Sequence, residues 1–108
     1  MRVRRELTQD TGAAHGGALT SLIDSVVGLA LCTMLTSDDI ITTIELKVNF
    51  IAPARLGVLK AEGGIVHKGS RIAVGDADVK DRNGKLIAKG IVTYMILGNH
   101  GKRVLNVS

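Results

Sequence analysis

Between Thr11 and Ser37 only Asp24 carries charge, and the residues around it repeat with a helical period. Leu19, Leu22, Ile23, Val26, Val27, Ala30 and Met34 follow the i, i+3, i+4, i+7 pattern of one helical face. The spacing predicts one long helix over Ala18–Leu35, entered from Gly16-Gly17 and closed by Thr36-Ser-Asp-Asp39. On a helical wheel its apolar centre runs through Leu19, Ile23, Val26 and Ala30. Asp24 falls on the flank, beside Thr20, Gly28 and Leu31. A helix apolar around most of its circumference must be wrapped by other structure.

The rest of the chain supplies strands. Met1–Thr8 reads as a short strand and Gln9–Ala14 as a loop. In Thr43–Phe50 apolar residues fall at every second position, the pattern of a half-buried strand. Ala52–Gly57, with Pro53, is a breaker. Val58–His67 is a strand in which Gly63-Gly64 predicts a bulge or sharp bend. Lys68-Gly69-Ser70 leads tightly into a strand over Arg71–Lys80, and Asp81-Arg-Asn-Gly84 is a strong hairpin signal before a last strand, Lys85–Leu97. Short links predict that the last four strands form an antiparallel meander. The class is therefore α+β, with one helix on a curved antiparallel sheet. Residues 1–97 read as a single domain and 98–108 as a polar tail. One helix leaves a sheet face or edge uncovered, so a homodimer is expected.

Composition narrows the functional classes. A length of 108 residues fits one domain, and 45% apolar content argues against disorder. The single cysteine excludes an internal disulfide framework, and Cys32 is expected to be a buried thiol in a reducing compartment. No apolar stretch follows the charges of Met1–Glu6, so no signal peptide is expected and the cytoplasm is the expected location. The apolar run approaches a membrane span in length, but Asp24 and its Ser, Thr and Gly residues argue against one. The net charge of +4 is mild, and two aromatic residues with no dense Lys/Arg block give little basis for nucleic-acid binding. His15, His67 and His100 lack metal-ligand spacing, so no metal is expected, and no Ser or Cys nucleophile motif is present.

Asp24 and the segment before it point to chemistry. Semi-dry surroundings strip water from a carboxylate and make it a stronger base or nucleophile when ionised. His15-Gly16-Gly17 lies at the helix N-terminus, where free backbone N–H groups and the helix dipole favour negative charge. Glycine lets a ligand approach that backbone closely. Such a site suits a phosphate or the oxyanion of a carbonyl under attack. Separately, a lone helical Asp is most simply a hydrogen-bonded structural residue, and Gly-Gly a turn.

Together, Gln9-x-x-Gly12-x-x-His15-Gly16-Gly17-Ala18-x-x-x-Leu22-x-Asp24, Thr43-Ile-Glu-Leu-Lys-Val-Asn-Phe-Ile-Ala-Pro53-Ala54 and Gly84-Lys-Leu-Ile-Ala-Lys-Gly90 resemble the hotdog-fold acyl-CoA thioesterases of the phenylacetate-pathway (PaaI-like) group. The resemblance spans Val3–Leu97. It implies a hotdog fold, a long helix wrapped by a curved antiparallel sheet, with dimers forming one continuous sheet and often pairing into tetramers. It implies hydrolysis of an acyl-CoA to a free acid and CoA, with acyl-CoA as partner and no separate cofactor, since CoA belongs to the substrate. Asp24 matches the nucleophile or base and Gly16 N–H the oxyanion donor. Gln9 matches an amide that orients the carbonyl or water, His15 a residue near the thioester, and Thr43 a hydroxyl that holds the attacking water. Gln9, His15 and Gly16 would come from one subunit, Asp24 and Thr43 from the other. Lys68-Gly69-Ser70-Arg71 matches the CoA-side turn, where cations would meet phosphates; Arg55 and Lys89 are weaker candidates. Gly28 stands where a Glu-using branch carries Thr one turn after its acid, which favours the Asp-using branch. The sequence opens on the expected first strand, where the group commonly carries an N-terminal helix before it, so part of the acyl pocket wall is expected to be open or supplied by a neighbour.

Two other readings compete. A non-catalytic hotdog module could bind acyl-CoA as a sensor or scaffold, but it would not need Asp24. A basic nucleic-acid-binding protein predicts salt-dependent affinity, yet the sequence offers no aromatic platform.

Overall fold

The chain folds, in a computed structural model that describes residues 4–11, 16–53 and 57–98, as five strands and one helix. These are β1 (Arg4–Thr11), α1 (Gly16–Cys32), β2 (Ile40–Phe50), β3 (Gly57–Lys68), β4 (Ile72–Lys80) and β5 (Leu86–Leu97). The sheet is antiparallel throughout, in the order β1-β3-β4-β5-β2, and α1 packs across one face. This is the hotdog arrangement. No helix among the described residues is long and apolar enough to cross a membrane.

Strand order corrects the expected meander. β3, β4 and β5 are sequential neighbours, but β2 pairs with β5 and lies at the edge opposite β1. Seven residue steps from Phe50 to Gly57 can reach about 23 Å, more than the roughly 14 Å that separates β2 from β3 across two strands. A short link therefore did not force adjacency. The N–H groups of Ile51 and Ala52 still donate to the Ile87 carbonyl, at 2.8 and 3.2 Å, as the chain leaves the sheet. β1 also runs further than expected. Gln9, Asp10 and Thr11, read as loop, pair with Leu59, Val58 and Gly57, because a ladder partner satisfies backbone groups that local turn propensity would leave to water.

The core lies between α1 and the sheet. Ile23, Val26, Val27 and Ala30 are fully buried, as the helical pattern predicts, against Ala61, Ala73, Ala77, Val79, Ala88 and Val92; Leu31, which the wheel puts on the flank beside Asp24, is fully buried as well. Small residues on the sheet let the helix sit low. A methyl group placed on Gly75 would collide with Val27, and one on Gly90 would lie 2.9 Å from Ile23 Cγ2. Gly63 has the same reason: its added methyl would meet Val26 at 2.9 Å. The bulge expected at Gly63-Gly64 falls at Val66 instead, between Ile65 and His67.

The helix stops at Cys32, three residues before the expected end. Tighter bonds from Met34 N–H to Leu31 O (2.9 Å) and Leu35 N–H to Cys32 O (3.3 Å) close it, and Thr33 Oγ1 donates to Ala30 O at 2.7 Å. Cys32 consequently shares an open stripe with Ser21, Ser25 and Leu29, and it is exposed rather than buried. The Asp81–Gly84 turn forms as expected. Asp81 Oδ1 accepts from Asn83 N–H and Lys85 N–H, each at 2.9 Å, and Gly84 takes φ +83°.

A second irregularity matters more for the site. The β2 ladder skips Ile44, between Thr43 and Glu45. Leu46 and Val48 face the helix, as alternation predicts, but the extra residue reverses the phase beyond it. Ile41 and Thr43 turn inward, opposite Ile96 and Tyr94, while Ile44 is 50% exposed. The regular alternation read over Thr43–Phe50 thus fails at Ile44. It fails at Phe50 as well, which is 54% exposed at the strand end.

Gly75→Ala should test the low seating of α1. A methyl forced against Val27 and the Gly64 carbonyl should cost about 1–3 kcal/mol in urea unfolding. An unchanged midpoint would show that the helix can lift without loss.

Candidate active site

Asp24 sits on the flank of α1 at the boundary between core and solvent, half-buried. Two groups from neighbouring strands converge on one of its oxygens. Tyr94 Oη donates to Oδ1 at 2.6 Å, a short distance typical of a hydroxyl on a carboxylate. Thr43 Oγ1 lies at 3.3 Å from the same oxygen, a longer and weaker bond. The Tyr94 hydroxyl is also 2.9 Å from the Asp24 main-chain oxygen. It has one proton, and the carboxylate is the stronger acceptor.

Three features of the fold create this cluster. Tyr94 follows the inward phase of β5 after Ala88, Gly90 and Val92, and is 3% exposed. The bulge at Ile44 turns Thr43 toward the same point, directly across the ladder from Tyr94. Gly28, one turn after Asp24, leaves room for the phenol: a methyl there would lie 3.3 Å from Tyr94 Oη.

Burial first, and then the hydrogen bond and charge of Asp24, push the Tyr94 phenol well above the ordinary tyrosine range. Tyr94 therefore remains a donor at any pH near neutrality. Sequence reasoning missed it. The signal was present, because a tyrosine on the inward phase of a strand needs a partner for its hydroxyl.

The remaining expected site residues lie elsewhere in the chain. Gly16 is the first residue of α1, eight residues before Asp24, or about 12 Å of helical rise. Gln9 is on β1, opposite Leu59, at the far edge of the sheet from Thr43. Four strand spacings separate those edges, roughly 19 Å along the sheet. One chain thus unites Asp24 with Thr43 but holds Gln9 and Gly16 apart from them. His15 lies outside the described residues.

Lys68, Ser70 and Arg71 are exposed on the β3–β4 turn, which is closed by Gly69 N–H donating to Ile72 O at 2.7 Å. The turn is at the Tyr94 end of the sheet: Arg71 O accepts from Ile96 N–H at 2.7 Å, and Ala73 opposes Tyr94. Lys89 is differently placed. It pairs with Asp78 at 2.8 Å on the sheet face away from the helix. There it borders a shallow hollow with Lys47, Asn49 and Ile91, remote from Asp24. Arg55 lies outside the described residues.

Tyr94 is the only tyrosine in the chain, so its ionisation can be followed directly by absorbance at 295 nm. Its raised folded-state pKa means that the unfolded chain releases this proton first as pH rises. Stability is therefore complete below about pH 10, the unfolded tyrosine value, and falls above it. The phenolate signal should rise only together with loss of far-UV circular dichroism. A separate titration near pH 10 in folded protein would contradict the buried donor.

Comparison with known proteins agrees with this architecture. The model of the Thioesterase superfamily matches residues 11–88. A candidate esterase of Saccharolobus solfataricus is 40% identical over 94 residues, covering 87% of this chain and 66% of that protein. Human acyl-coenzyme A thioesterase 13 is 30% identical over 95 residues, covering 83% of this chain and 65% of that enzyme. The chain thus spans about two thirds of the length of these curated relatives. Among solved structures, a Bacillus halodurans protein crystallised with CoA superposes with a TM-score of 0.82 at 25% identity, covering 85% of this chain and 66% of that one. A hypothetical thioesterase of Streptococcus pneumoniae with coenzyme A gives 0.81 at 26% identity, covering 89% and 80%.

Proposed function

Because this chain belongs to the thioesterase superfamily, we propose that it hydrolyses acyl-CoA thioesters to a carboxylic acid and CoA. The observation that carries this reading is the half-buried Asp24 carboxylate, held by Tyr94 and Thr43. CoA in the Bacillus halodurans and Streptococcus pneumoniae structures supports the substrate class. As a base, Asp24 takes a proton from water while the water oxygen bonds to the thioester carbon. The Gly16 N–H receives the developing oxyanion. Collapse breaks the C–S bond, and the CoA thiolate leaves with the proton. As a nucleophile, the carboxylate itself bonds to that carbon, expels the thiolate, and is freed when water hydrolyses the anhydride. Label from ¹⁸O-water in a single turnover enters Asp24 only in the second course.

The site is proposed to be shared by two copies of the chain, in the cytoplasm. The spacing of Gly16 from Asp24 supports this, since about 12 Å of helical rise keeps the two from serving one carbonyl within a chain. The outer edge of β2 supports it too. That edge pairs with no other described strand, and it displays Ile40, Ile44, Phe50 and Ile51. A long unpaired backbone edge invites pairing, and a second β2 would continue the sheet. Lys68, Gly69, Ser70 and Arg71 then offer cations and a backbone turn to the CoA phosphates.

Asp24→Asn should leave the fold intact and lower turnover by about 10²–10⁴-fold in a free-thiol release assay. Most of the turnover surviving would exclude Asp24 as base or nucleophile. Gly16→Pro removes the proposed donor N–H at a helical position that tolerates proline, and should be similarly impaired. Unfolding and refolding the two variants together should restore about a quarter of wild-type turnover, because half of the dimers then carry one intact site of two. No recovery in mixed dimers would place each site within a single chain.

A further inference from the structure

We propose that Tyr94 is a positioning residue for Asp24, holding one carboxylate oxygen so that the other is presented to the thioester; this rests on the thioesterase reading above. Both Tyr94 and Thr43 converge on Oδ1. Among the described residues, none donates a hydrogen bond to Oδ2. The terminal torsion of an aspartate is broad and nearly two-fold, so a free carboxylate presents either oxygen over a wide range of angles. The phenol removes that freedom. It is 3% exposed and fixed by the register that places it opposite Thr43 and Ala73. Thr43 at 3.3 Å is a looser tether and lies on an exposed edge strand. Gly28 completes the arrangement, since any side chain there would crowd the phenol oxygen.

The proposal separates Tyr94 from a residue that merely fills the core. Removing only its hydroxyl, in Tyr94→Phe, retains the ring, so the protein should stay folded at assay temperature, with the melting transition lowered by the loss of one charge-assisted hydrogen bond and KM nearly unchanged. The value of kcat should fall by about tenfold or more, as expected when a reacting group loses its alignment. The loss should vanish in the Asp24→Asn background, where there is no reacting carboxylate to align. Gly28→Ala should lower kcat in a chain that retains the Tyr94 hydroxyl and add nothing to Tyr94→Phe. A Tyr94→Phe enzyme with wild-type kcat, or one with equal losses with and without Asp24, would overturn the positioning role while wild-type turnover upheld the thioesterase reading. Absence of CoA release by the wild type across an acyl-CoA panel would overturn both.

Discussion

The low seating of α1 on a floor of glycine and alanine is the constraint on which the rest depends. Val27 rests over Gly75 and Ile23 over Gly90, with no room for a β-carbon beneath either. Dense contact of this kind supplies the core with much of its apolar burial, since Ile23, Val26 and Val27 are fully enclosed. It also determines the height of the whole helix above the sheet. Asp24 rides on the flank of that helix, so the same packing brings its carboxylate within 2.6 Å of a phenol rooted in β5. Stability and the geometry of the candidate site therefore come from one interface.

A local fault in the sheet completes the geometry. Regular alternation along β2 would put Leu46 and Thr43 on opposite faces. The extra residue at Ile44 puts them on the same face, exposes Ile44, and aims a hydroxyl at the helix. Glycine at position 28 has a comparable role on the other side, as the gap through which Tyr94 reaches Asp24. A polar cluster at the rim of an apolar core is thus built from one bulge, one missing side chain and one inward tyrosine.

The separation of Gly16 and Gln9 from Asp24 and Thr43 within one chain has a physical origin. α1 is a rigid rod, so its first residue and Asp24 stay about 12 Å apart whatever surrounds them. The strand order places β1 and β2 at opposite edges, with three strands between. The outer edge of β2 pairs with no other described strand, which leaves it open to continue the sheet.

Much of this was legible in the residues themselves. The helix with its buried face, the hairpin at Asp81–Gly84 and the antiparallel ladders β3–β5 follow from 3.6- and 2-residue periods and turn chemistry, which act over short range. The flank position of Asp24 follows from the same helical period, and its separation from Gly16 follows from helical rise alone. What the sequence could not decide was long-range: that β2 crosses to pair with β5, that Gln9–Thr11 extends β1, that Cys32 lies open, and that Ile44 bulges. Each depends on which distant backbone meets which, and local propensity is indifferent to that choice. Tyr94 shows the difference most clearly. Its inward phase was written in β5, but its carboxylate partner lies 70 residues earlier in the chain, and only the packing of helix on sheet brings the two together.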